Sequence, residues 1–181
     1  MKKEIFQEIE IPNNVKVDIL GNLITVIGKE GENKRKFDFT GIETNKEENK
    51  IIIGNKKSTK NEKKRINSIA AHIRNMVGGV QKKYEYDLKI CFSHFPFTVE
   101  ISGNEAKIKN FLGEKVPRVL KLNAGVEIKA DKEMIKVLSV DKELAGQTAA
   151  DLETVTKIRG RDRRVFQDGL FITSKPGEEE L

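Results

Sequence analysis

Residues 15–22 read VKVDILGN, and residues 97–104, which lie 82 positions further along the chain, read FTVEISGN. Both stretches alternate apolar and polar side chains and then reach a Gly-Asn pair, after which the alternation resumes. Alternation of this kind indicates a half-buried strand, and glycine and asparagine tolerate the positive φ angles of a tight turn. Each stretch therefore predicts the first strand and the turn of a β-hairpin.

The similarity between the two stretches continues downstream at the same offset. Val26 corresponds to Ile108, and Gly31 corresponds to Gly113. An offset of 82 residues exceeds the repeat length of a solenoid and is the size of a small domain. The sequence therefore predicts two similar domains in tandem.

A helix is predicted at the end of the first copy. Thr59 and Glu62 have the spacing of a capping box, in which a hydroxyl and a carboxylate satisfy backbone amides at the start of a helix. The pair Gly78-Gly79 is expected to end this helix, since glycine is common at and beyond helix C-termini. The apolar residues between these signals recur at helical spacing on one face: Ile66, Ile69, Ala70, Ile73 and Val77.

The second copy has a predicted helix in the corresponding place, with Asp141 or Thr148 as its N-cap and its end near Gly160. The other segments typical of strands are residues 35–39, 50–53, 84–92, 116–122, 126–129, 134–139 and 170–173. We therefore predict the α+β class, with two tandem domains of similar topology, each an antiparallel β-sheet covered on one face by an α-helix.

Charge is distributed unevenly along the 181 residues. The chain has 34 Lys and Arg and 28 Asp and Glu, which gives a formal net charge of +6. Residues 1–82, the predicted first domain, hold 17 basic and 11 acidic side chains, whereas residues 83–181 hold 17 of each. The second part divides into a predicted domain at 83–175 and an acidic tail at 176–181. A basic chain favours a polyanionic partner. The densest basic runs are residues 56–65 and 157–164.

Composition disfavours several classes of function. No apolar run approaches the roughly 18 residues of a membrane-spanning helix, and the single cysteine, Cys91, fits a reducing cytoplasm. One cysteine and two separated histidines cannot supply a four-ligand structural zinc site, and no phosphate-binding glycine loop is present. We therefore predict no catalytic centre, metal, cofactor, membrane association or small-molecule substrate. The alternative enzyme is a small hydrolase using Cys91 and His94, although residues three apart in a strand face opposite sides.

Two basic segments of the second copy are candidates for contact with nucleic acid. One follows the second hairpin, and the other is residues 157–164, where five cations and one glycine fall within eight residues. Arginine suits phosphate because its planar guanidinium donates two parallel hydrogen bonds, and each contact adds salt-dependent affinity. Phe111, in the first segment, is either a cap on the local core or a ring that stacks or wedges among bases.

Five short motifs follow one another along the chain in a specific order and spacing. They are IRNMVGGV at 73–80, HFP at 94–96, NFLGEK at 110–115, GQTAA at 146–150 and RVFQDGLF at 164–171. Together they resemble the universal large-subunit ribosomal protein six family in its archaeal and eukaryotic form. The Tyr- and Gly-rich C-terminal stretch of bacterial members is absent, which favours an archaeal source.

The resemblance implies a non-catalytic structural constituent of the large ribosomal subunit in the cytoplasm. It implies that the second domain is the main rRNA-binding domain and binds large-subunit rRNA beside the sarcin–ricin loop. Neighbouring ribosomal proteins and docking translation factors are then expected nearby. A free RNA chaperone or regulatory RNA-binding protein with the same two domains is the alternative.

The residues expected to face rRNA combine this resemblance with the basic segments. They are Lys109, Asn110, Phe111, Lys115, Arg118, Arg159, Arg161, Arg163 and Arg164. The glutamates at 178–180 would be repelled by phosphates and are expected to face solvent or to be disordered. The resemblance supplies no residue-level basis for a contact by the basic run at 56–65.

Overall fold

The structure is a computed structural model that describes residues 3–47 and 49–177, without the side chain of Lys3. The chain divides into two compact units, with the boundary between Lys83 and Tyr84. Each unit combines one long helix with antiparallel strands, which confirms the α+β class. The strands of each unit are divided between two sheets rather than gathered in one, and the helix packs against strands of both sheets. The acidic tail predicted at 176–181 lies, from residue 178 onward, outside the described residues.

The first unit has its helix after its strands. In chain order its elements are β1 Lys3–Glu10, β2 Lys16–Leu20, β3 Leu23–Gly28, β4 Gly31–Lys36, β5 Glu43–Lys46, β6 Lys50–Ser58 and α1 Lys60–Gln81. One sheet has the strand order β1-β6-β5 and the other has the order β2-β3-β4. Every strand pair in the two sheets is antiparallel.

The second unit follows the same plan with one additional strand after its helix. Its elements are β7 Tyr84–Cys91, β8 Thr98–Ser102, β9 Glu105–Lys109, β10 Arg118–Lys121, β11 Val126–Ala130, β12 Met134–Ser139, α2 Lys142–Val155 and β13 Gly169–Ser174. Its sheets have the orders β10-β9-β8 and β11-β12-β7-β13. The core is formed by apolar side chains of both sheets and α2, such as Leu88, Ile108, Ile135, Leu152 and Leu170.

Both predicted Gly-Asn hairpins are confirmed. Leu20 pairs with Leu23 across the first turn, where Gly21 has φ +59°. Ser102 pairs with Glu105 across the second turn, where Gly103 has φ +58°. A positive φ at the first central residue alone is the signature of a type II′ turn, whose twist matches that of the flanking strands. The duplicated stretch thus builds the same hairpin in each unit.

Helix α1 begins as predicted but ends later. The Thr59 side chain accepts from the Glu62 N–H, and the Glu62 side chain accepts from the Thr59 N–H, so both halves of the capping box are present. The prediction that Gly78-Gly79 ends the helix is wrong, since α1 continues to Gln81. Val80 is fully buried and its carbonyl accepts from the Glu30 N–H at 2.9 Å, and this packing outweighs the low helix propensity of glycine.

Helix α2 begins at the first of its two predicted caps. The Asp141 carboxylate accepts from the Glu143 N–H at 2.9 Å, whereas Thr148 is buried inside the helix. The helix ends at Val155 and not near Gly160 as predicted. At this end the Thr156 hydroxyl donates to the Glu153 carbonyl at 3.0 Å and accepts from the Leu170 N–H at 2.9 Å. The chain is thereby turned away from the helix axis and tied to β13.

Candidate nucleic-acid interface

Three loops of the second unit meet at one end of its sheets. They are residues 92–97, 110–117 and 156–168, here called the interface loops. Thr98 pairs with Lys109, which places the first loop beside the second. Gly169 pairs with Cys91, which places the third loop beside the first. The two basic segments that are separate in the sequence are therefore brought to a common surface.

Asp168 is the buried anchor that joins the first and third interface loops. Its side chain is 1% exposed and accepts from the Ser93 N–H at 2.7 Å and from the His94 N–H at 3.0 Å. The second carboxylate oxygen accepts from the Nδ1 of His94 at 2.6 Å. Charge-assisted hydrogen bonds are roughly twice as strong as neutral ones. Asp168 was not predicted as a site residue, and His94 was considered only for the hydrolase alternative; both act here by holding the loops together.

The hydrogen bonds to Asp168 determine its protonation state. Burial by itself raises the pKa of this carboxyl, because it disfavours the charged form. The hydrogen bonds from the His94 backbone, the His94 side chain and the Ser93 backbone outweigh burial and lower the pKa to about 2. Asp168 is therefore ionised at neutral pH and serves only as an acceptor.

The depressed pKa of Asp168 makes the second unit sensitive to acid. An aspartate with a lower pKa in the folded than in the unfolded state stabilises the fold fully above its unfolded value, and this stabilisation is lost as pH falls through the folded value. We expect about 2 kcal/mol of unfolding free energy to be lost between about pH 5 and pH 2. Urea unfolding can be followed through tyrosine fluorescence, since both tyrosines of the chain, Tyr84 and Tyr86, lie in this unit. A pH dependence equal to that of Asp168→Asn would contradict the assignment.

The third interface loop has a fixed shape and an exposed basic surface. The Phe166 ring is stacked on the His94 ring at 4.5 Å between centroids, and the Arg161 guanidinium lies 4.7 Å from the centroid of Phe166. Asp162 forms an ion pair with Arg164 at 2.8 Å, and the Asp162 carbonyl accepts from the Phe166 N–H at 2.9 Å. The Arg164 side chain is nevertheless 89% exposed. Both arginines therefore remain accessible to a phosphate.

Arg159 and Arg163 are exposed on the same loop. No ion pair to an acidic side chain is found for either one within residues 3–47 and 49–177. Together with Lys157, which was not among the predicted contacts, they line two hollows beside the C-terminus of α2. Arg159 lines a cleft of about 460 Å³ and Arg163 lines a pocket of about 250 Å³, and Lys157 lines both.

The second interface loop corrects one predicted contact. Phe111 is 1% exposed, and its ring packs edge-on against Phe97 with the centroids 5.2 Å apart. The prediction that Phe111 faces RNA is wrong, and the alternative of a core residue holds. Asn110 allows the chain to turn inward, since it adopts φ +60° and its side-chain amide donates to the Pro96 carbonyl at 2.9 Å. Exposed rings at this surface belong instead to the first interface loop, where Phe92 is 50% and Phe95 49% exposed.

Arg118 has most of its hydrogen-bonding capacity engaged within the protein. Its guanidinium lies 4.4 Å from the Phe111 ring centroid and donates to both carboxylate oxygens of Glu114 at 2.9 and 2.5 Å. It also donates to the Val155 carbonyl at the end of α2 at 2.6 Å. The hydrogen bonds from Arg118 lower the pKa of the Glu114 carboxyl. Arg118 therefore joins the second and third interface loops, and its predicted contact with rRNA stays a prediction.

The two remaining predicted lysines differ in their surroundings. Lys109 is exposed and forms an ion pair with Glu100 at 2.7 Å, so a phosphate would compete with a carboxylate for it. Lys115 is exposed, and within the part of the chain that the structure describes no ion pair joins it to an acidic side chain. Of the two, Lys115 is the better placed for a polyanion.

A stability measurement distinguishes the structural role of Arg118 from direct contact with RNA. We expect Arg118→Gln to lower the free energy of unfolding by about 2 kcal/mol, because the Val155 carbonyl and Glu114 both lose a charged donor. Urea unfolding monitored by tyrosine fluorescence measures this loss, with Lys121→Gln on the same strand as the control. Unchanged stability, accompanied by a large change in the salt dependence of RNA binding, would show that Arg118 is a phosphate ligand after all.

The hydrolase alternative receives no support from this end of the unit. The Nδ1 of His94 is directed to Asp168, and no hydrogen bond between His94 and Cys91 occurs in the described residues. Within the same residues, no cluster of three His, Cys, Asp or Glu side chains could hold a metal ion. None of the described helices is long and apolar enough to cross a membrane.

Comparison with known proteins identifies the family. The sequence pattern of the family described as Ribosomal protein L6 matches residues 11–83 and again residues 95–169. The two matches cover most of the chain. The chain belongs to the ribosomal protein L6 family. One match falls within each unit, so the internal duplication seen in the sequence is a duplication of the L6 pattern itself.

Similar proteins match along nearly their full length. The large ribosomal subunit protein uL6 of Methanococcus vannielii is 42% identical over 174 residues, which are 96% of this chain and 96% of that protein. The protein of the same name from Sulfurisphaera tokodaii is 46% identical over 172 residues, covering 94% of this chain and 92% of that protein. The protein of the same name from Methanobrevibacter smithii is 42% identical over 171 residues, covering 94% of this chain and 96% of that protein.

Membership in the L6 family decides two of the sequence predictions. The resemblance to the archaeal form of the family is confirmed, since these relatives come from archaeal species. The prediction that the chain is not an enzyme is also confirmed, because the family consists of ribosomal proteins.

Proposed function

We propose that this chain is a structural constituent of the large ribosomal subunit and that its second domain, residues 83–175, binds large-subunit rRNA through the interface loops. The relatives are named as large-subunit proteins and match along nearly the whole chain. Within this proposal the protein has no reaction to catalyse. Its task is to hold a defined RNA segment against a rigid protein surface.

The observation that carries this proposal is that two basic segments lie on neighbouring loops. Buried or partly buried hydrogen bonds beneath the surface hold these loops in place. Lys115, Arg159 and Arg163 are exposed, while Asp168 and Arg118 fix the loops that bear them. Because the loops are already ordered, little conformational entropy is lost when phosphates bind. Each cation that neutralises a phosphate releases a counterion and adds affinity that falls with rising salt concentration.

The expected mode of recognition is the shape and backbone of folded RNA. The grooves of an A-form helix are either too narrow to admit side chains or display mainly sugar hydroxyls, so proteins read duplex RNA through phosphates and 2′-hydroxyls. Arg161 and Arg164 extend the basic surface of Arg159 and Arg163. Phe95 supplies an exposed ring for a base that is not paired.

We also propose where in the large subunit the chain lies, which membership in the family does not by itself specify. The resemblance of the five sequence motifs supports a site beside the sarcin–ricin loop, with neighbouring ribosomal proteins and docking translation factors close by. In this placement the basic interface loops contact rRNA.

Sedimentation of cell extract on a sucrose gradient tests the proposal. The expected result is that the chain migrates with the large subunit and stays with it after a high-salt wash. Recovery in the soluble fraction, with binding to many unrelated single-stranded RNAs, would overturn the proposal in favour of a free RNA chaperone.

A further inference from the structure

A second basic surface lies on the first unit. It consists of five exposed lysines around the start of α1, here called the lysine cluster: Lys56, Lys57, Lys60, Lys63 and Lys64. The first two occupy the end of β6, and the other three occupy the first turns of α1. The intervening residues are fixed by the capping box and by a hydrogen bond from the Ser58 hydroxyl to the Asn55 carbonyl at 3.1 Å.

The lysine cluster differs from many other lysines of the chain in its lack of acidic partners. Elsewhere lysines form ion pairs with carboxylates, for example Lys34 with Glu32 at 2.9 Å and Lys50 with Glu8 at 3.2 Å. Within the described residues no ion pair is found for any lysine of the cluster.

Two acidic side chains near the cluster have other partners. Glu62 completes the capping box, and Asp38 forms an ion pair with Arg65 at 2.6 Å. Glu4 lies opposite residues 56–57, where the pairing of β1 with β6 is irregular, but no ion pair links it to the cluster in the described part of the chain. Among the described residues of the unit, no ion pair to an acidic side chain therefore relieves the mutual repulsion of the five ammonium groups.

The exposed face of α1 continues this surface without an acidic residue. Beyond the cluster it carries Asn67, Ser68 and Ala71 and ends at Arg74. The Arg74 guanidinium donates to the side-chain oxygen of Gln7 at 2.9 Å. Because Gln7 is neutral, this contact does not neutralise the charge of Arg74. From Lys60 to Arg74 the helix rises about 20 Å. A row of small and amide side chains bounded by cations permits a close approach by a phosphate backbone.

We propose that the lysine cluster is a second RNA-binding surface and that it binds the phosphate backbone of an rRNA helix distinct from the segment held by the interface loops. This inference rests on the proposed function, since it assigns a further contact with the same class of RNA. The lysine ammonium is a mobile point charge, whereas the arginine guanidinium donates two parallel hydrogen bonds. Contacts between lysine and phosphate therefore add affinity without sequence specificity.

The test uses the full chain and protein-free large-subunit rRNA. The variant Lys56→Gln/Lys57→Gln/Lys60→Gln/Lys64→Gln removes four charges from the cluster. The matched control, Lys16→Gln/Lys29→Gln/Lys34→Gln/Lys36→Gln, removes four exposed charges from the same unit. Hydroxyl-radical footprinting reports the protected rRNA segments, and binding at several salt concentrations reports the number of phosphate contacts. Thermal unfolding verifies that both variants are folded.

We expect the wild-type chain to protect two rRNA segments and the cluster variant to protect only one. The slope of log K against log salt concentration becomes shallower by about 3, and the Kd at about 0.1 M salt rises on the order of 100-fold, while the control changes by less than about threefold. In contrast, the variant Arg159→Gln/Arg163→Gln is expected to keep the protection that the lysine cluster gives and to lose protection of the rRNA segment held by the interface loops.

Two results overturn the inference but leave the proposed function intact. In one, the cluster variant keeps the whole footprint while the arginine variant loses its segment. In the other, the cluster variant binds rRNA normally but is retained less well on assembled subunits, which would assign the cluster to an acidic protein neighbour. If the wild-type chain protects no rRNA at all, both the inference and the proposed function fail.

Discussion

Replacing Lys115, Arg159 and Arg163 together with glutamine is expected to raise the Kd for large-subunit rRNA on the order of 100-fold at about 0.1 M monovalent salt. All three side chains are exposed on the interface loops and have no ion pair to an acidic side chain within the described residues. The slope of log K against log salt concentration is expected to become shallower by about 2 to 3, since each phosphate contact contributes nearly one to the slope. Filter binding over a series of salt concentrations measures both quantities.

The matched control removes three exposed charges from the strands of the same unit. Lys89→Gln/Lys121→Gln/Lys129→Gln changes the net charge equally, but these lysines lie outside the interface loops. We expect the control to change the Kd by less than about fivefold, through long-range electrostatics alone. Equal losses in the two triple variants would mean that net charge, and not the interface loops, determines binding.

Asp168→Ala is expected to have the largest effect on stability. The Ser93 and His94 backbone N–H groups and the His94 ring all donate to this one buried carboxylate. Removing it leaves these donors without their partner, at a cost of about 3 kcal/mol, which for a unit of this size lowers Tm by more than about 10 °C. Because the first and third interface loops then lose the carboxylate that holds them together, we also expect the Kd for rRNA to rise at least about tenfold. Calorimetry and filter binding measure the two effects.

Two further variants separate the anchoring role of Asp168 from simple loss of charge. Asp168→Asn keeps the shape and one acceptor oxygen, so its stability is expected between those of the wild type and the alanine variant. Asp131→Ala removes an exposed carboxylate from a turn of the same unit and is expected to be nearly neutral. If Asp168→Ala proved as stable as Asp131→Ala, the loops would not depend on this anchor.

Features set by neighbouring residues were predictable from the sequence, whereas features set by distant packing were not. The Gly-Asn hairpins and the Thr59 capping box depend on local chemistry and were predicted correctly. The division into two sheets depends on pairing across long stretches of chain. Strand β1 was not predicted, because the polar Gln7 interrupts its inward apolar side. In the structure the Gln7 side chain accepts a hydrogen bond from Arg74, 67 residues away.

The candidate site shows the same division. The two basic segments were visible as runs of lysine and arginine, but the sequence could not show which cations are engaged by the protein itself. Arg118 is held by backbone carbonyls 37 and 39 residues away, and Phe111 enters the core through the left-handed conformation of Asn110. Asp168 lies in the RVFQDGLF motif, yet nothing local indicates that its carboxylate is buried.

Site-directed hydroxyl-radical probing tests most directly whether the interface loops face rRNA. In a chain with Cys91→Ser, a single cysteine is introduced either at Val165, which is 60% exposed on the third interface loop, or at Ala124, in the exposed turn before β11. The Ala124 turn adjoins the Val126–Ser139 pair, at the end of the sheet opposite to the interface loops. Iron-EDTA is attached to each cysteine, and the cleaved rRNA positions are mapped in the complex with large-subunit rRNA.

We expect strong, localised cleavage from position 165, clustered near the sarcin–ricin loop, and little or none from position 124. Cleavage from position 124 without cleavage from position 165 would contradict the proposed interface, because the opposite end of the second unit would then face the RNA.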